Sequence, residues 1–153
     1  MSDRARLDLG NYLPYLVNRV GAAMVAGFTA NALKAHRLSI DMWRVLAALA
    51  HAGELRQVDL STRTTIDAST ISRIVSRLVQ MGLVTRSRSK TSSREVIVAL
   101  SGRGSALVAR LIPIAIELEQ TAIIGLPAKE VQVLKRMLRQ VFENLSNSRR
   151  QSD

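Results

Sequence analysis

Along DASTISRIVSRLVQ, residues 67 to 80, the side chains of Ser69, Thr70, Arg73, Ser76, Arg77 and Gln80 return at short intervals, while Ile71, Ile74, Val75 and Leu78 fill the places between them. Wound into a helix, the segment has one apolar side and one side of hydroxyls, guanidiniums and an amide. These groups suit recognition rather than covalent chemistry. Short hydroxyls allow close approach to base edges, Arg73 can reach a guanine or a phosphate, and Arg77 a backbone oxygen. Positive charge continues through Arg86, Arg88, Lys90 and Arg94, so that residues 68 to 94 hold six basic side chains and no acid. A polar helix side taken alone is also what any solvated helix presents. Joined to an acid-free basic run, it points to a polyanion, and to the grooves of a duplex in particular. Arg94 is the strongest candidate downstream of the helix because it opens a return strand with Val96 and Val98 beneath it, whereas Arg86 and Arg88 carry less weight individually.

Other chemistries find little support. The chain has 153 residues, a net charge of +10 and no cysteine. Disulfides, thiolate nucleophiles, cysteine zinc sites and thiol redox sensing are therefore excluded. His36 and His51 have no carboxylate pair at metal-ligand spacing, and the sparse acids offer no general acid and base. No catalytic residue, metal or cofactor is expected. GRG at 102 to 104 lacks the third glycine and the preceding βαβ strand of a nucleotide fingerprint, and NLS at 144 to 146 is a glycosylation sequon without a secretion signal. The longest uncharged apolar run, Val20 to Leu33, is fourteen residues, short of the roughly 18 that span a bilayer. A soluble cytoplasmic protein with no membrane partner is expected.

The elements that must position the polar helix follow from periodicity. Apolar residues from Leu9 through Leu13, Leu16, Val17, Val20, Met24 and Phe28 predict a long first helix, with Gly21 and Gly27 suggesting close packing against another helix. Ser39 as N-cap and Gly53 as terminator bound a second helix whose face is Ile40, Trp43, Leu46, Ala47 and Leu49 or Ala50. A third helix is expected over Leu55 to Arg63, with Leu55, Val58 and Leu60 facing inward. Asp67 then caps the polar helix and Gly82 stops it. LVTRSR and REVIVALS, separated by SKTSS, read as a hairpin. Ser101 caps a fifth helix that ends at Gly125, Pro127 suits the first position of a sixth, and Val131, Leu134, Leu138, Val141 and Leu145 make a seam that wants a partner helix. The fold class is thus mainly α with a small β-hairpin. A winged helix-turn-helix lobe spans residues 39 to 100, and helices from the chain ends, 9 to 36 and 101 to 147, complete a single 1 to 153 domain.

On LSIDMWRVLAAL, DASTISRIVSRLVQMGLVTR, REVIVALSGRG and GLPAKE, the chain resembles the MarR family of bacterial transcription regulators over nearly its whole length. The resemblance implies an obligate homodimer built from the first helix and the last two, with Leu13, Val20, Val131, Leu134, Leu138, Val141 and Leu145 in the interface. It also implies double-stranded DNA as partner, repression as the common outcome, and Ser69, Thr70, Arg73 and Arg77 as recognition-helix contacts with Arg94 as the wing-tip arginine. Many members release DNA on binding a small aromatic acid or phenol between the dimer helices and the DNA lobe, where His36, Met42 and Trp43 are the candidate contacts here. Two departures stand out. Thr65 occupies the turn where the family often has glycine, and the tip before Arg94 is Ser92 and Ser93 where the family usually has aspartate. The rival reading is a winged-helix protein-interaction module with only non-specific DNA affinity, which has little reason to keep an acid-free basic surface.

Overall fold

The computed structural model describes residues 6–90, 92 and 94–150. Among them, six α-helices and a three-stranded antiparallel sheet run in the order α1 (Leu13–Phe28), α2 (Ile40–Ala52), β1 (Leu55–Arg56), α3 (Gln57–Thr64), α4 (Ala68–Gln80), β2 (Val84–Arg88), β3 (Val96–Leu100), α5 (Gly102–Ala122) and α6 (Ala128–Arg150). The chain divides into two compact units, one running to Leu118 and the other from Glu119.

In the first unit, α1 continues through a wide π turn at Thr29–Leu33 and a tight 3-10 turn at Lys34–His36. It stops because Arg37 turns left-handed, at φ 56°, and the Leu38 N–H donates back to the Leu33 carbonyl. Gly27 lies where α5 comes close, a Cβ there standing 3.3 Å from Leu118, whereas Gly21 faces open space. Ser39 Oγ accepts the Met42 N–H at 3.2 Å and caps α2 as expected. The buried residues of α2 are Val45, Leu46 and Leu49, so Val45 joins the core while Ala50 is exposed. The Phe28 and Trp43 rings meet edge to face at 5.1 Å.

The helix expected over 55 to 63 is corrected at its start. Leu55 and Arg56 are extended and pair with Val98 and Ile97 of β3, giving a sheet of order β1-β3-β2 rather than a lone hairpin. Helix α3 begins only at Gln57, and Val58 is exposed, leaving Leu60 as its buried residue. A two-residue strand shows no period of its own; it forms because β3 offers an open edge. Val98, in the central strand, is fully buried together with Leu46, Leu60, Ile71, Val75, Leu78 and Leu111.

Thr65 closes α3 at φ 58°, ψ 34°, so this β-branched residue carries the left-handed conformation usually given to glycine. Its replacement by glycine relieves that strain and loses some of it again to unfolded-state entropy. Thr65→Gly is expected to raise stability by roughly 0.5–1 kcal/mol in urea denaturation at unchanged m-value. A lowered midpoint would show that the threonine methyl contributes more than the backbone loses.

The second unit holds the end of α5, a turn containing Gly125 at φ 82°, and α6. The Val131 N–H donates to the Pro127 carbonyl, which puts Pro127 at the cap rather than at the expected first helical position. Lys135 of α6 pairs with Glu119. Val131 is buried, but Leu134, Met137, Leu138, Phe142 and Leu145 lie exposed along α6. No described helix is long and apolar enough to cross a membrane.

Candidate nucleic-acid interface

Helix α4 forms because every local preference agrees. Ile71, Ile74, Val75 and Leu78 are buried on one side, and Asp67 Oδ1 accepts the Thr70 N–H at 2.8 Å at the start. The Ser69 hydroxyl donates to the same carboxylate at 2.6 Å. These bonds, that of Ser69 first and those of Thr70 next, hold the Asp67 carboxyl well below the usual carboxylate range. The cap's contribution is therefore present above the ordinary aspartate value and fades only as pH falls through the lowered one. At the far end the Gly82 N–H donates to the Val79 carbonyl, and Gly82 takes φ 70°.

The opposite side of α4 is the polar one. Ser69, Arg73, Arg77 and Gln80 are exposed, and Thr70 and Ser76 are partly so. Arg73 Nη2 donates to Thr70 Oγ1 at 3.1 Å, leaving the threonine hydroxyl proton for an outside acceptor. Arg77 Nη1 leans on Gln80 Oε1 at 3.4 Å. From the sheet, Arg86 extends back until its Nη1 is 3.5 Å from Ser76 Oγ, at the outer limit of a hydrogen bond. Strand β2 and α4 thus contribute to one continuous polar surface.

Arg88 pairs in register with Val96 and is exposed at the outer end of β2, with Lys90 exposed beyond it. Arg94 is exposed in the turn before β3, which starts two residues later than expected, at Val96. The Ser89 N–H donates to the Glu95 carbonyl and the Glu95 N–H to that of Ser92, closing the loop base. Ser93, the other residue of the expected tip, lies outside the described residues.

Sequence reasoning missed Arg56. Its guanidinium makes a bidentate pair with Asp59, at 2.8 and 2.9 Å, and reaches Glu95 Oε1 at 3.2 Å. It therefore ties the base of the wing to α3 and neutralises the one carboxylate adjacent to Arg94. These bonds raise the arginine above, and lower Asp59 below, their ordinary values. The i, i+3 spacing of Arg56 and Asp59 was the only signal in the sequence, and the link to Glu95 spans 39 positions.

The three residues named for an aromatic ligand are dispersed. His36 borders a cleft at the C-terminal end of α4. Met42 lines a shallower one with Ser39, Thr70 and Arg73, and Trp43 packs on Phe28 at the edge of the core. Among the described residues no group of histidines and acids is arranged to hold a metal.

A family model described as the MarR family matches residues 38–96, the segment from two residues before α2 to the first residue of β3. The HTH-type transcriptional repressor IacR of Pseudomonas putida is 36% identical over 113 residues, covering 74% of this chain and 68% of that protein. NicR, also an HTH-type transcriptional repressor of Pseudomonas putida, is 29% identical over 146 residues, 95% of this chain and 92% of its own. Among solved structures, Bordetella bronchiseptica BpsR, described in terms of regulation of its DNA binding by 6-hydroxynicotinic acid, superposes with a TM-score of 0.76 at 29% identity, over 84% of this chain and 97% of that one.

Proposed function

The chain belongs to the MarR family of transcription regulators, and we propose that it is a repressor that binds a pseudo-palindromic operator as a homodimer. The observation that carries this reading is the surface on which Ser69, Thr70, Arg73, Ser76 and Arg77 of α4 meet Arg86 of β2, at Ser76. In it, α4 lies in the major groove and the hydroxyls and Arg73 of its first turns read base edges. Arg77, Arg86, Arg88, Lys90 and Arg94 neutralise phosphates alongside. The cytoplasm, where operators are found, is its place of work.

Two copies are needed because one α4 reads only a half-site. The exposed apolar residues of α1, Leu13, Leu16, Val17 and Val20, and those of α6 are covered by the partner. Two recognition helices then fall about 34–36 Å apart, in successive major grooves. A small aromatic acid is the proposed effector, in keeping with what BpsR is described as responding to. Because His36, Met42 and Trp43 are dispersed, none of the clefts described above brings all three to it.

Fluorescence anisotropy against the duplex upstream of the protein's own gene and a scrambled duplex, at one near-physiological salt concentration, tests the reading. A preference of about a thousandfold or more is expected. Arg73→Ala is expected to lose about 1–3 kcal/mol on the native duplex and to relax base choice. Arg94→Ala, by contrast, weakens both duplexes and lowers the salt slope by about one. Equal, weak binding to operators and random duplexes alike would move the protein-interaction reading ahead.

A further inference from the structure

The DNA-facing side of α4 does not account for a second concentration of charge at its C-terminal end. A cleft of about 440 Å³ there is walled by Arg37, Arg77, Arg103 and Arg110, with His36 and Gln80 also on its lining, and no acid lines it. The volume is that of an ordinary small-ligand pocket. Among the described residues none of the four arginines is paired with a carboxylate; Arg77 rests on the neutral amide of Gln80. An anion in the cleft would meet the forked donors of four arginines that have no carboxylate partner, a geometry suited to carboxylate or phosphate.

Arg37 adds a second, independent observation. It sits at φ 56°, ψ 34°, the position after a helix end where glycine serves best. Ending the helix requires the left-handed backbone but not a guanidinium. Any residue with a Cβ carries that strain, as Thr65 also does, and such strain is found at functional sites among other places.

We propose that this cleft binds a small multivalent oxyanion, a di- or tricarboxylate or a phosphate ester, and that occupancy draws Arg77 away from DNA. Arg77 is suited to that exchange because it also lines the cleft shared by Met42, Thr70 and Arg73 on the DNA-facing side. Binding of the anion stands on the cleft itself, while the release step rests on the repressor reading above. A backbone phosphate of bound DNA offers the same chemistry, and the test separates the two sources.

Citrate is titrated calorimetrically into the DNA-free protein, with chloride holding ionic strength constant. One saturable site per chain is expected, weakened about tenfold or more in Arg103→Gln/Arg110→Gln, since each lost charge-assisted hydrogen bond is worth that much. Arg37→Gly relieves the backbone rather than straining it, so it is expected to weaken citrate binding while the melting temperature rises. In anisotropy, citrate weakens duplex binding by the wild type and not by the double variant, whose own affinity for the duplex is unchanged. No saturable heat, or equal citrate affinity in all three proteins, overturns the site. A double variant that binds duplex tenfold more weakly in the absence of citrate overturns the free-ligand reading and assigns the cleft to the DNA backbone. Absence of any duplex binding overturns the release step together with the repressor reading, and leaves citrate binding to stand or fall by its own isotherm.

Discussion

Gly104→Ala is expected to abolish folding of the unit that carries α4, even though it adds one methyl group. The first turn of α5 is fastened directly to the backbone that follows α4. The Ser101 hydroxyl donates to the Gly82 carbonyl at 2.7 Å and accepts the Gly104 N–H at 2.9 Å, and the Ser101 N–H donates to the Leu83 carbonyl at 3.0 Å. Gly104 is buried in this junction, and a Cβ built on it would stand 1.9 Å from the Leu83 carbonyl oxygen and 2.9 Å from its carbon. Those atoms are main chain, in a segment held by α4 on one side and β2 on the other, so no rotamer change relieves the contact. Separating them breaks the Ser101 bonds and lifts α5 from a core that includes Leu107, Val108 and Leu111. The cost, about 4 kcal/mol or more, is a large part of a typical domain's stability. Gly102→Ala, with nothing within 4 Å of the added carbon, is the matched control and should fold normally. Circular dichroism and urea denaturation of the two variants decide the matter. A cooperatively folded Gly104→Ala protein of near-native midpoint would mean that the junction is far more compliant than its hydrogen bonds suggest.

This junction also shows where the sequence stops being informative. The serine was readable as a helix cap, because a hydroxyl beside an incipient helix has one common use. That the third residue after it must lack a side chain depends on which backbone lies across from it, and no local pattern encodes that. The same boundary runs through the rest of the molecule. Helix α4 was legible in both its faces because 13 residues of period 3.6 average out local noise, and Asp67 and Gly82 mark its ends. Strand β1 was not, since two residues have no period and their conformation is dictated by the free edge of β3, some forty positions away. Arg56 and Glu95 were overlooked for the same reason. Thr65 lies between these cases: its position in the turn was evident, and the structure shows that threonine accepts the left-handed backbone there. The arginine cleft is the extreme instance, as Arg37, Arg77, Arg103 and Arg110 come from three separate stretches and meet only in the folded chain.

The last step from fold to function depends on a surface that the single chain leaves open. Along α6, Leu138 and Leu145 are 43% and 63% exposed, one heptad apart, with Leu134, Met137 and Phe142 exposed on the same helix. Side chains of this kind at a 3.5-residue repeat have no advantage in water and gain about 0.8 kcal/mol per CH₂ when buried against another helix. In the repressor reading that helix belongs to a second copy. Leu138→Glu/Leu145→Glu is therefore expected to convert dimer to monomer in sedimentation equilibrium while leaving the far-ultraviolet circular dichroism of the chain unchanged, since neither leucine supports the single-chain core. Loss of the dimer removes the linkage between two half-sites, and a bivalent contact is worth about a hundred- to ten-thousandfold over a single one. Affinity for the native duplex should fall by that order, and the salt slope should halve as half of the phosphate contacts disappear. Residual binding should resemble that to a scrambled duplex. A variant that remains dimeric would place the interface elsewhere than on α6. A monomer that keeps native affinity and slope would show instead that one α4 and its wing read the whole site, and the pseudo-palindromic operator would have to be given up.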